Sequence, residues 1–539
     1  MAPLARCAFV SAFLLAFPAA RAQDATAAPG AEATPILRVD VAGPAAWRAH
    51  FLPTNLGSLL SSSADEELLA PWVARFDAWW GGLHGERRAE ARARLLAFGG
   101  RATIGLWGVP DRAGMQVYGA VALVPEAGGD AGALVDLVRP LLRLMPERSE
   151  ERIDGRAWTV ARGPVGCCTV PEEIEGRVVA WIAERPEHLE RAVRDGLAWL
   201  RAGAGHDAAS EPLRVTLDLA RALRLDPSTA SDPAFEVQGY GSLRELSLVV
   251  GTDGPRVRLD VALQFGAGER GIFAGFFPEC AGVPALGALV TPRAVAWLVG
   301  RMDAAALWRT CLRSVAKVRG MPEAELLAAT RKDLGGVDPG AELFGRLRDE
   351  VVILGRAPDD GGEPPVADSM VCIAMPVTDA AAFRVALARA LRTRGFVVEE
   401  TGGALRADYE DGWLLPRISF AAEREWVLVA FGTDGGLQLE AMLKAARGGQ
   451  AGPPAEAEAA RRRAPPGFQG IGALAVEAFL DVCAEVFREG FGAGAVPAQV
   501  ADLGDWVRRW PPLLREHGLA RLLVLTGCVD GRFRVRALW

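Results

Sequence analysis

The chain has 539 residues, half of them hydrophobic, and a net charge of −7. That length exceeds one ordinary core and suits two bodies of about 250 residues each. Arginines are interspersed with Asp and Glu, so no basic stripe is offered and nucleic acid is excluded as a partner. Only Lys317, Lys332 and Lys444 stand against dozens of Arg, and Asn55 is the sole Asn. That bias matches a GC-rich bacterial coding sequence and carries no functional message.

Residues 1–22 read as a secretory signal peptide. Arg6 is the only charge before an apolar core at 7–17, and Ala20-Arg21-Ala22 sets small residues at the cleavage positions. Cys7 stands at the start of the apolar core instead of following it, which argues against lipid attachment. Residues 23–34, rich in Ala with Pro29 and Gly30, read as a disordered tether. The expected location is therefore exported, periplasmic or extracellular.

The remainder reads as one motif order written twice, in 53–263 and again in 292–539. Arg101-Ala-Thr-Ile-Gly-Leu-Trp107 and Val117-Tyr-Gly-Ala-Val-Ala-Leu-Val-Pro125 face Glu350-Val-Val-Ile-Leu-Gly355 and Met370-Val-Cys-Ile-Ala-Met-Pro376. Each pair is followed by an Asp, Asp130 or Asp379, placed to cap a helix by accepting from first-turn amides. Gly176-Arg-Val-Val-Ala-Trp-Ile-Ala183 then faces Glu425-Trp-Val-Leu-Val-Ala-Phe-Gly432. Both halves close in a predicted hairpin, at Asp253-Gly254 and Asp530-Gly531, where Asp-Gly suits the positive φ of a tight turn. The organisation that follows is a first copy at 35–265, a connector at 266–290 and a second copy at 291–539.

Within a copy, 53–76 and 292–315 read as a short entry followed by an amphipathic helix. A helix at 86–97, with its partner region at 323–347, precedes two strands, a helix, two long strands and a helix. A strand (213–218; 471–476), a helical connector and the hairpin complete each copy, with an extra helix at 500–517 in the second. Strands in adjacent pairs between single helices favour an antiparallel α+β fold over βαβ alternation. Residues 271–291 are apolar apart from Glu279, but Pro278, Pro284 and four Gly break a spanning helix. They read as a partly buried connector plus a strand, and no integral membrane span is expected after signal cleavage.

The signal peptide, the opening Leu52-Pro53-Thr-Asn-Leu, the repeated α/β modules and the closing hairpins resemble a broad group of exported bacterial proteins of unknown function. The resemblance implies an envelope protein and brings no catalytic residues with it.

Chemical motifs are sparse. Gly266-Ala-Gly-Glu-Arg-Gly271 is a literal G-x-G-x-x-G after a predicted strand. The helix it would need is cut short by Pro278, so it reads as a linker. Ser314-Val-Ala-Lys317 matches S-x-x-K, yet no partnering S-x-N or K-T-G accompanies it. The five His (His50, His84, His188, His206, His517) form no ligand spacing, and Gly239-Tyr-Gly-Ser242 is no nucleophile elbow. Asp65-Glu66-Glu67 and Asp359-Asp360 lack the alternating oxygens of a calcium loop. Trp79-Trp80 reads as core packing, or else as an exposed contact for a sugar or partner. Beyond Cys7, Cys167, Cys168, Cys280, Cys311, Cys372, Cys483 and Cys528 read as buried small hydrophobes; Cys280–Cys311 and a vicinal Cys167–Cys168 bond are the alternatives that spacing leaves open. No catalytic, cofactor-binding or metal-binding residue is assigned, and no cofactor is expected. The reading is an envelope protein that binds an unknown protein or ligand, with a periplasmic hydrolase as the alternative.

Overall fold

The computed structural model of the chain describes residues 34–61, 74, 77–111, 114–126, 129–145, 147–163, 166–202, 211–225, 233–276, 278, 282–284, 289–290, 294–356, 370–401, 404–409, 418–431, 439, 442–444, 447, 458, 461–462, 464, 466–476, 510–529 and 532–539. The signal peptide, nearly all of the tether, both acidic clusters, the Asp530-Gly531 turn, His206, Cys280 and Cys483 lie outside these residues. The chain divides into two units: unit 1 runs to Asp232 and resumes for Leu243–Leu263, and unit 2 takes Pro233–Ser242 and everything from Gln264.

Unit 1 begins with β1 (Leu37–Ala42), α1 (Pro44–Phe51), α2 (Asn55–Leu60) and α3 (Arg88–Ala97). β2 (Arg101–Asp111), β3 (Gly114–Val124) and α4 (Ala131–Val138) follow. Next come β4 (Glu147–Ile153), β5 (Arg156–Gly163), β6 (Gly166–Thr169), β7 (Glu172–Ile174), β8 (Arg177–Ala183) and α5 (Leu189–Arg201). β9 (Leu213–Asp218), α6 (Leu219–Leu225), β10 (Leu243–Asp253) and β11 (Arg256–Phe265) complete the series, with the last two residues of β11 counted in unit 2. The sheet is antiparallel in the order β10–β9–β1–β2–β3–β8, and β8 also pairs with β7 and with β6, which leads through β5 to β4.

The central strand shows why the sheet sits where it does. Every residue of β8 is buried, as expected for a strand covered on both faces. Val179 and Trp181 join the core beneath α5, while Val178 and Ile182 turn to the opposite face. α5 meets that core with Leu189, Ala192, Val193, Gly196, Trp199 and Leu200, an i, i+3, i+4 stripe. α3 and α4 cover the other face through Leu95, Leu134, Val135 and Val138.

Unit 2 contains α7 (Phe235–Gln238), α8 (Ile272–Phe276), β12 (Ala294–Arg301), α9 (Ala304–Arg319), α10 (Glu323–Asp333), β13 (Glu350–Arg356), β14 (Met370–Pro376) and α11 (Ala380–Thr393). β15 (Val397–Thr401), β16 (Ala404–Tyr409), β17 (Ile418–Glu423), β18 (Trp426–Phe431), β19 (Phe468–Ala475), α12 (Trp510–Glu516), β20 (Arg521–Val529) and β21 (Arg532–Leu538) follow. Its sheet is also antiparallel, in the order β21–β20–β19–β12–β13–β14–β18–β17–β16–β15. One face carries Trp297, Val352, Cys372, Ala374, Leu428 and Ile471 against helical residues Leu439, Met442 and Leu443. The other carries Val351, Met375, Leu405 and Val427 against Phe383, Leu387 and Leu391 of α11.

The α+β class and its antiparallel pairing are therefore observed. Asp130 and Asp379 accept from the amides of Ala133 and Ala382, at 3.3 Å and 3.1 Å, as N-caps of α4 and α11. Asp303 caps α9 in the same way through Ala306, at 2.8 Å.

Four local readings are corrected. The entry at 292–315 is not a bare lead into a helix: β12 fills it, and in unit 1 the strand paired to its second-strand neighbour is β1, which lies before Pro53. The stretch read as two long strands is five strands in unit 1 and four in unit 2. β4, Glu-Arg-Ser-Glu-Glu-Arg-Ile, has no apolar alternation to announce it because its side chains are mostly exposed or half-buried. The strand expected within 271–291 begins at Ala294 instead, and Leu289 and Val290 are core residues of unit 2. The turn between β10 and β11 falls on Gly254-Pro255, one residue later than read, with Gly254 at φ +57°. The extra helix expected at 500–517 is described from Trp510 to Glu516. Among the described residues no helix is long and apolar enough to cross a membrane.

Candidate functional site

A cluster of chemically versatile side chains lies in unit 1, above a tryptophan core. Trp107 on β2, Trp158 on β5 and Trp181 on β8 are 0–1% exposed, and Trp199 of α5 joins them. Trp158 and Trp181 meet edge to face at 6.2 Å, and Trp107 and Trp199 at 5.6 Å, the favoured arrangement for aromatic quadrupoles. Gly196 makes this packing possible. A Cβ there would stand 2.3 Å from Cζ3 of Trp181, so only glycine lets α5 approach the sheet this closely.

A short aromatic ladder leads outward from this core. The Tyr118 ring lies parallel to Trp107 at 6.0 Å, and the half-buried His188 ring stacks on Tyr118 at 6.3 Å. The Tyr118 hydroxyl donates to Oδ2 of Asp195 at 2.7 Å, linking β3 to α5. Burial first, and then the Asp195 carboxylate, raises the Tyr118 pKa well above the usual phenol range. Next to it, Glu184 accepts from the Val117 amide at 2.9 Å, and burial raises its carboxyl pKa against the opposing pull of that bond and Arg185. Exposed Arg191 and Arg194 border the cluster, and Arg194 approaches Asp195 at 3.4 Å.

Chemically, the Tyr118 hydroxyl keeps its proton and acts as a donor to Asp195. A phenol that resists ionisation is a poor nucleophile and a poor base, but a firm donor that fixes its acceptor. Asp195, His188 and the arginines are left at the rim, where they present mixed charge to the outside. The sequence offered one overlooked signal here: Tyr118 is among only three Tyr in the chain. Asp195 and His188 carried none.

The motifs singled out from the sequence disperse. Ser314 is 6% exposed, its hydroxyl has no hydrogen-bond partner among the described residues, and Lys317 of the same helix is exposed. That pairing leaves no open nucleophile. The 266–271 loop leads into α8, a five-residue helix, which is too short for a pyrophosphate seat. Trp80 is core, with its indole donating to the Arg88 carbonyl at 3.3 Å, while Trp79 is half-buried. Among the described residues no group of three or more His, Cys, Asp or Glu is gathered as a metal site would require.

The cysteines follow strand geometry. Cys167 and Cys168 are neighbours on β6, so their thiols point to opposite faces and enter different cores. Both are free; Cys167 approaches the Ala183 carbonyl at 3.5 Å and Cys168 the Met145 sulfur at 3.3 Å. Burial pushes their pKa values up to about 11 and about 12. Cys311 is free and exposed, while Cys280, its alternative partner, lies outside the described residues. Thiolate is the reactive form. Alkylation of the native protein at pH 8 is therefore expected to label Cys311 and leave Cys167 and Cys168 unmodified until denaturant is added. Peptide mass mapping checks this, and early labelling of either buried thiol contradicts it.

No family model and no curated protein matches the chain. Among solved structures, crystal form I of TP0453 is similar at 11% identity, over 48% of this chain and 80% of that one, with a TM-score of 0.22. Crystal form III of TP0453 gives 8% identity over 48% of this chain and 91% of that one, with a TM-score of 0.21. Scores this low carry no argument about fold or function.

Proposed function

We propose that the chain is an exported bacterial envelope protein that binds a partner or ligand through a body made of two copies of one α+β module. The observation that carries the two-copy reading is strand order. Unit 1 runs β10–β9–β1–β2–β3–β8 and then through β6 and β5 to β4; unit 2 runs β20–β19–β12–β13–β14–β18 and then β17, β16 and β15. Ranked along the chain within each unit, and leaving out the short β7, these are the same sequence of places. Export rests on the signal-like pattern of residues 1–22.

The binding reading draws support from unit 1. A rim of His188, Arg191, Arg194 and Asp195 stands on a rigid aromatic base, and preorganised rims lose little entropy on association. In-cell photo-crosslinking from position 191, with position 399 on β15 as control, tests the proposal. A reproducible envelope partner captured from 191 and not from 399 is the expected result. Crosslinks confined to the chain itself overturn the binding reading.

A further inference from the structure

We propose that residues 233–242 form a strap seated on the glycine-rich loop 266–271, and that this strap is the first part of unit 2 to open. Its chain neighbours on both sides, α6 and β10, belong to unit 1, yet the strap itself packs within unit 2. The seat is built from backbone. A Cβ on Gly239 would lie 2.2 Å from the Arg270 carbonyl oxygen, and one on Gly271 would lie 2.1 Å from the Gln238 carbonyl carbon. The two glycines thus mark a mutual close approach, and both hold left-handed backbone, at φ +90° and +53°. A second pin lies nearby, where the Gly266 amide donates to the Ser242 carbonyl at 2.6 Å.

Rings close the remaining gap. Tyr240 meets Phe273 of α8 edge to face at 5.7 Å, Phe235 lies 5.7 Å from Tyr240, and Phe265 lies 5.4 Å from Phe273. The loop is tied down in turn by an ion pair between Glu269 and Arg313 of α9. This accounts for Gly271 of a motif that has no helix to serve a phosphate: it admits a second segment of the protein's own backbone. The attachment is also slight. α7 has four residues, none fully buried; of the strap only Ala234, Gly239 and Ser242 are buried, and it joins no strand ladder among the described residues. Segments held by few buried apolar contacts and few backbone bonds open below the global unfolding free energy.

Hydrogen exchange read by mass spectrometry on the full chain tests the strap, using Gly271→Ala and Tyr240→Ala. In the unsubstituted protein, 233–242 and 266–276 should exchange together and faster than β13, β14 and β18. Each substitution should accelerate that exchange about tenfold or more and leave those strands unchanged. Tyr240→Ala alters no backbone contact and decides the matter if Gly271→Ala fails to fold. Strap amides as slow as those of β13, or unmoved by Tyr240→Ala, overturn the proposal. So does a loss of protection across all of unit 2 with Tyr240→Ala, because the segment would then be core and not strap.

Discussion

Trp181→Ala is expected to remove about 3–5 kcal/mol from unit 1, the usual cost of truncating a fully buried tryptophan. Trp181 is 0% exposed on the central strand β8, and its ring is held by Trp158 on one side and by Gly196 on α5. Its removal leaves a cavity that α5 cannot close without moving Leu189, Val193 and Trp199, which share the same core. Domains are stable by only about 5–15 kcal/mol, so this loss is a large fraction of the whole. Since two units make a single unfolding free energy ill-defined, the readout should be local. Denaturant-dependent exchange of peptides covering β3, β8 and α5 is the measurement. Loss of protection there at clearly lower denaturant, with β13 and β14 of unit 2 unchanged, is the expected pattern. Protection that stays within error of the unsubstituted chain would refute the tryptophan core as the mainstay of unit 1.

The second large effect is expected at Asp40. This carboxylate is 4% exposed on β1, accepts from the Thr103 hydroxyl at 2.9 Å and from Arg38 Nε at 2.7 Å. β1 lies between β9 and β2 in the sheet, so a defect here disturbs two ladders at once. Asp40→Ala strands the Thr103 hydroxyl, which is 0% exposed, and leaves Arg38 without its anion. Breaking a buried pair on one side costs about 3–5 kcal/mol, and the 27% exposure of Arg38 places the expected loss near the lower end. Asp40→Asn keeps an oxygen acceptor for one of the two donors, so its cost should be smaller, about 1.5–3 kcal/mol. The order Ala worse than Asn, read from the midpoint of exchange across β1 and β2, distinguishes lost hydrogen bonding from general strand damage. Equal losses would mean that the contacts at Asp40 are incidental.

Much of the fold was legible wherever the signal was local. Asp130 and Asp379 announced their helices because capping involves only the next three residues. β8 read as a strand because burial on both faces demands an unbroken apolar run, Val-Val-Ala-Trp-Ile-Ala. β4 was invisible because its own side chains are mostly exposed or half-buried, although it pairs with the partly buried β5, and so carry no apolar pattern. Its turn signal was present all the same: Asp154-Gly155, with φ +50° and +76°, is the Asp-Gly pair of a tight hairpin.

The candidate site was not legible, for a reason of distance. Tyr118 and Asp195 are 77 positions apart, and nothing in either neighbourhood refers to the other. The glycines of 266–271 imitated a nucleotide loop because the same freedom from Cβ serves any close backbone approach, and the approaching partner, Gly239, lies outside the motif. By itself the sequence determined the α+β class, the antiparallel pairing and the starts of α4 and α11, since periodicity and capping act over a few residues. Which tryptophans share a core, which face each thiol enters and what the glycine loop receives were decided only by tertiary structure, because these depend on contacts between segments that chain entropy keeps apart until the fold brings them together.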